Sequence, residues 1–201
     1  MGECAAGAVR CRLGRAEDLD ELMALYAAVV ERMAGTAEDV GWEMGSHPSR
    51  EGVAAAIEAG SLLVAQRAHV GGASADAEDG GAGAAGADDA LMGVLIVDGV
   101  QAAGYDAVPW SVQVPDERVG VIHLFAVAPW ARGCGAARAL LSAAADLARG
   151  RGCATLRLDV FPNAQHAAAV YRACGYTDLG IREIRYPTCE NTRFRVMDLA
   201  L

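Results

Sequence analysis

The sequence predicts an α/β fold: one domain on a mixed, twisted sheet of about six to seven strands, with a central parallel βαβ unit and helices on both faces. Three observations predict it. Val121 to Val127 (VIHLFAV) is an apolar run rich in β-formers, and Pro129, which cannot donate to a ladder, stops it. A helical pattern then carries Leu140, Leu141, Ala144, Leu147 and Ala148 as far as Gly150 and Gly152. Ala154 to Phe161 sets Leu156, Leu158 and Val160 on one face of a strand and Arg157 and Asp159 on the other. Strand, helix and strand in so short a span imply a parallel pair with a right-handed crossover. At 201 residues and 53% hydrophobic content, a single domain over 1–201 can fill its core.

The other elements follow in chain order. Ala8 to Leu13 alternates apolar and polar, as a strand does. Glu17 to Met33 repeats apolar residues at Leu19, Leu22, Met23, Tyr26, Val30 and Met33, with an acidic first turn that suits the helix dipole. Ser49 can cap a second helix that runs through Ala59 and ends at Gly60. Ser61 to Gln66 and Leu91 to Val97 read as the two strands of a hairpin. Between them, residues 69–90 are so rich in Gly, Ala and Asp that a disordered insertion is expected. Residues 99–117 have no period and read either as a flap or as a long connection. A last helix runs through Ala167, Val170, Tyr171 and Cys174 to Gly175, before two final strands, Asp178 to Tyr186 and Thr192 to Leu199.

Composition narrows the function. A formal charge of -9 opposes a nucleic-acid surface, which needs a basic patch. No run reaches membrane length and no basic-then-apolar leader opens the chain, so a soluble cytoplasmic protein is expected. The six cysteines have neither CxxC nor zinc spacing, so they read as reduced thiols and no metal is expected. Oligomeric state stays open, a homodimer included.

The central strand, a small-residue turn and a helix start make an anion site, because backbone N–H groups and the helix dipole point at whatever sits there. A P-loop needs a lysine, and all 17 basic residues counted as Lys+Arg are arginine. A dinucleotide fingerprint needs a third glycine where Arg138 stands. What remains is Arg-x-x-Gly-x-Ala (Arg132, Gly135, Ala137) after Val-x-Pro, which resembles the coenzyme A pyrophosphate loop of the GNAT acetyltransferase superfamily. Downstream, Ala167-x-x-Val170-Tyr171-x-x-x-Gly175-Tyr176 is similar to the A-x-x-[LV]-Y-x-x-x-G-[FY] signature that closes such domains. The superfamily's frequent asparagine falls on Ala164 here, with Asn163 one place earlier.

The resemblance implies a GNAT fold and acetyl-CoA as co-substrate, with transfer to a small-molecule amine. Phe125, Ala126 and Val127 would then pair with the pantetheine arm. Arg132, Gly133, Cys134, Gly135, Ala136, Ala137 and Arg138 would hold the pyrophosphate, with Asn163 a further cofactor contact. Tyr171 matches the usual general acid. His123 is the first candidate for the base, since imidazole titrates near pH ~6.5; Asp159, His47 and water stand in reserve. Trp42 and His47 lie between the first two helices, where the superfamily's acceptor pocket is lined, and Asp159 joins them as a substrate contact. Peptide N-terminal acetylation and non-catalytic acyl-CoA sensing are the alternatives.

Overall fold

The computed structural model describes residues 9–36, 38–39, 41–67, 90–187 and 189–201. Strand β1 (Val9–Leu13) is followed by α1 (Leu19–Met33) and α2 (Arg50–Glu58). β2 (Leu62–Arg67) and β3 (Leu91–Asp98) form the expected hairpin, and β4 (Val119–Val127) is the central strand. α3 (Ala136–Gly150) crosses over to β5 (Thr155–Val160); α4 (Gln165–Ala173), β6 (Thr177–Glu183) and β7 (Arg193–Ala200) follow. The result is a seven-stranded sheet in the order β1-β2-β3-β4-β5-β7-β6, antiparallel except for β4 beside β5. α1 and α3 both pack on β3 and β4. The insertion expected at 69–90 lies outside the described residues, apart from Ala90. No described helix is long and apolar enough to cross a membrane.

Local chemistry accounts for the boundaries. Ser49 accepts the Gly52 N–H and caps α2 as expected, whereas the first turn expected of α1 is a 3₁₀ turn, Ala16–Asp18. β4 begins at Val119, earlier than its apolar run suggests, because Val119 already pairs with Thr155 of β5. Gly120 shows which way β4 faces: a Cβ there would meet Leu156 and Ala148 of α3. Val119 and Val121 therefore turn to the other face, where they join a second core with Tyr105, Val108, Trp110, Ile184, Phe194 and Val196. The 99–117 segment is thus a packed cover on that face. Trp110 donates to the Tyr105 carbonyl at 2.8 Å and lies over the Arg157 guanidinium at 4.6 Å, and the Ser111 N–H donates to Asp198.

The feature that shapes the site is a parting of the sheet. β4 and β5 pair only from Val119 to Val121. Beyond that, β4 stays with β3 to Val127 and β5 stays with β7 to Val160. The β3–β4 register slips by one residue between Val94 and Ile96, and Leu124 in the slipped stretch has a φ of 47°. A left-handed leucine costs about 1 kcal/mol or more, so the surroundings must hold it. Tyr26, fully buried in α1, donates its hydroxyl to the Leu124 carbonyl at 2.9 Å. A bulge of this kind bends the strand that carries it, and here it steers β4 away from β5. Removing the hydroxyl with Tyr26→Phe should lower the unfolding free energy by about 1 kcal/mol, read from urea denaturation. An unchanged midpoint would show that the bulge does not depend on this bond.

Candidate active site

A cavity of about 570 Å³ lies where β4 and β5 part. Ile122 to Val127 of β4 line it on one side and Asp159, Val160 and Phe161 on the other. The α3 loop, α4, Trp42 and His47 complete the wall. On this stretch β4 has no strand beside it on the β5 side, so backbone groups along that edge are left for a ligand.

The loop before α3 is built for an anion. Gly133 and Gly135 have φ values of 80° and 85°, in the region that favours glycine. Gly135 is the N-cap of α3, no side chain caps the helix, and its first turn carries no acidic residue. The leading N–H groups of a fifteen-residue helix, and the positive end of its dipole, are left to the cavity. A Cβ at Gly133 or Gly135 would meet nothing within 4 Å, so the space over the turn is open, and both glycines serve the backbone conformation. Arg132 and Arg138 line the same wall. A pyrophosphate fits this loop: N–H donors, a dipole, two guanidinium groups and room. Cys134, between the two glycines, is absent from the cavity wall. Among the described residues, Cys11, Cys153, Cys174 and Cys189 are free thiols.

Tyr171 comes to the cavity from α4, 4% exposed, with its ring 5.8 Å from Phe125 and 5.5 Å from Tyr176. Burial pushes its hydroxyl far above the ordinary tyrosine range, so it keeps its proton throughout neutral pH.

His123 lies on the opposite face, in the alternation begun by Val119 and Val121. Its Nε2 is 3.1 Å from Asp98 Oδ1 and 3.1 Å from the Val100 carbonyl oxygen. Burial works on Asp98 in the other direction, but bonds to His123 and to the Val100 N–H keep it below its ordinary value, and so ionised. Neither partner of Nε2 can then donate, so Nε2 carries the proton and Nδ1 holds the lone pair of the neutral ring. Burial disfavours the imidazolium, yet the bond to Asp98 and the charges of Asp98 and Asp159 outweigh it, and the pKa is raised. His47, also on the wall, is lowered by burial and by its proximity to His123.

Asp159 shares the His123 face. Its Oδ2 accepts hydrogen bonds from the hydroxyls of Tyr105, at 2.6 Å, and Tyr186. Burial raises its pKa against those two donors and against His123.

The structure therefore gathers Tyr171, His123, Asp159, Trp42, His47, Phe125 to Val127, Arg132, Gly133 and Gly135 to Arg138 around one cavity. It does not bring Asn163 to the wall, where Ala164 sits instead; the Asn163 carbonyl accepts the Gln165 N–H at the start of α4. Asp98, Tyr105 and Tyr186 were missed. Asp98 pairs directly with Val121, so the β3–β4 hairpin register could have found it. The tyrosines arrive from irregular segments, which no periodicity reveals. Among the described residues, no cluster of side chains is suited to a metal ion.

A family model described as the Acetyltransferase (GNAT) family matches residues 58–176. No match is found among curated proteins. Solved structures share the fold. A GNAT-family acetyltransferase from Streptococcus agalactiae 2603 has 17% identity and a TM-score of 0.67, covering 96% of this chain and 95% of that one. A GCN5-related N-acetyltransferase from Kribbella flavida has 18% identity and a TM-score of 0.61, covering 96% and 98%. A Salmonella typhimurium structure that holds its cofactor acetyl-CoA has 15% identity and a TM-score of 0.61, covering 96% and 94%.

NMR titration of the imidazoles should place His123 above about 6.5, the ordinary histidine value. Asp98→Asn should move it down, because burial then meets less opposition. The sign for stability follows: protonated His123 stabilises the fold fully below pH ~6.5, and this contribution is lost as pH rises through the folded-state value. A His123 titration unmoved by Asp98→Asn would remove Asp98 from the site.

Proposed function

The chain belongs to the GNAT acetyltransferase family, and on that premise we propose that it transfers an acetyl group from acetyl-CoA to a primary amine of a small molecule, by direct attack in a ternary complex. One observation carries the reading. A buried, protonated tyrosine and a histidine held through its Nε2 line one cavity, at the gap where β4 and β5 part.

Acetyl transfer to an amine needs a deprotonated nitrogen, a polarised carbonyl and a proton for the departing sulfur. Bound acetyl-CoA supplies the thioester. Arg132, Gly133 and Gly135 to Arg138 would hold its pyrophosphate, mainly through backbone N–H groups. The β4 edge at Phe125 to Val127 would pair with the pantetheine arm and polarise the carbonyl. His123 Nδ1 takes a proton from the amine, directly or through water, while the Asp98 bond keeps the ring in that tautomer. The amine lone pair forms the N–C bond, the C–S bond breaks, and its electron pair takes the Tyr171 proton. Of the two protons the nitrogen loses from its ammonium form, one restores Tyr171 and the other leaves to solvent. No covalent enzyme intermediate is required.

The packed cover around Tyr105 and Trp110 supports a small acceptor over a peptide laid in an open groove. The pairing of Tyr171 with an oriented histidine supports catalysis over acyl-CoA sensing.

Acetyl-CoA should bind at micromolar concentration, and thiol release should follow when amines are added. Tyr171→Phe should lower kcat by about 100-fold and leave the acetyl-CoA Kd nearly unchanged. Equal turnover would remove Tyr171 from the mechanism, and no binding of any acyl-CoA would overturn the proposal.

A further inference from the structure

We infer that the acceptor is a hydrophobic monoamine: a primary ammonium on an apolar or aromatic body, without a carboxylate, bound through Asp159. This rests on the acetyl-transfer reading and specifies its substrate.

Among the described residues, no arginine pairs with the Asp159 carboxylate. Its two protein bonds come from neutral phenols, Tyr105 and Tyr186, and both end on Oδ2. Oδ1 has no hydrogen bond from the described residues, and Asp159 lines the cavity. A buried carboxylate is expensive unless a positive charge completes it. Among the described residues, the one cationic group that acts on it is His123, which shares its face. The other two carboxylates on the wall are already engaged: Glu38 accepts the His166 N–H, and Asp39 those of Gly35 and Gly41. An ammonium drawn to Asp159 lies beside His123, whose Nδ1 takes the proton that must leave before attack.

The surroundings describe the rest of the acceptor. Phe161 and Phe194 stack at 5.2 Å, Tyr186 meets Phe194 edge-on at 5.5 Å, and all three line the cavity with Trp42. Such walls favour an apolar body and add cation–π attraction for the ammonium. An acceptor carboxylate finds no counterpart there. The arginines on the wall, Arg132 and Arg138, belong to the pyrophosphate loop, and the chain has no lysine. Arg185 lines an adjoining hollow, but it is exposed and tied to Glu183. A carboxylate placed near Asp159 would also meet like charge.

The test is thiol release by the full-length protein with acetyl-CoA, comparing phenethylamine and tryptamine with phenylalanine and tryptophan, and with an alanyl peptide. Each monoamine should exceed its amino acid by about 100-fold in kcat/KM. Asp159→Asn should raise the monoamine KM by about 100-fold, with acetyl-CoA affinity by calorimetry kept. The substrate comparison uses the unaltered protein, so it stands even if that variant fails to fold. Preference for amino acids or for the peptide overturns the acceptor class and leaves acetyl transfer intact. An Asp159→Asn enzyme with an unchanged monoamine KM overturns the role of Asp159. Failure to bind acetyl-CoA, or no turnover on any acceptor, overturns the acetyl-transfer reading and this inference with it.

Discussion

The separation of β4 from β5 after Val121 is the constraint on which the rest of the molecule depends. A continuous sheet would bury its backbone donors and acceptors in its own ladder and leave no path between its two faces. Here the bulge at Leu124, held by the Tyr26 hydroxyl, bends β4 while β5 stays registered with β7. The price is one left-handed leucine. Two half-sheets result, joined by two cores that each take residues from both, and the gap between them is where chemistry can reach both.

Two kinds of group meet in that gap. On the cavity wall, the uncapped start of α3 and two arginines present positive potential, and Tyr171 of α4 keeps its proton because it is buried. Asp98 and Asp159 make the environment of His123 negative, which raises its proton affinity despite burial. The two groups of charge around the cavity are therefore of opposite sign. The net charge of -9 says little about this, since five of the acidic residues, Asp76, Glu78, Asp79, Asp88 and Asp89, fall in the 69–90 stretch.

What the sequence made legible was local. The strand, glycine turn and helix start around Gly133 to Arg138 are contiguous, so their spacing alone separates one phosphate loop from others. Tyr171 was legible for the same reason, since its helix and the following Gly175-Tyr176 form one short pattern. The register of β3 against β4 and the company of Asp159 were not, because they depend on chain segments far apart: Asp98 meets His123 across a hairpin, and Tyr105 reaches Asp159 from 54 residues away. Asn163 stands one place before the position that the family pattern marks, and the turn into α4 brings Ala164 to the wall. Residues 99–117 could be read as a flap or a connection because irregular chain carries no period; packing of Trp110 over Arg157 makes them a cover.

The most direct test of this account is a crystal structure of the protein with acetyl-CoA and an unreactive analogue of the amine. The account places the pyrophosphate on the N–H groups of Gly133 to Arg138 and the thioester in the gap beside Phe125 to Val127. Tyr171 should then lie within hydrogen-bond reach of the sulfur, with His123 across the acetyl group from it. A thioester seated outside the gap, or a Tyr171 hydroxyl out of reach of the sulfur, would contradict it.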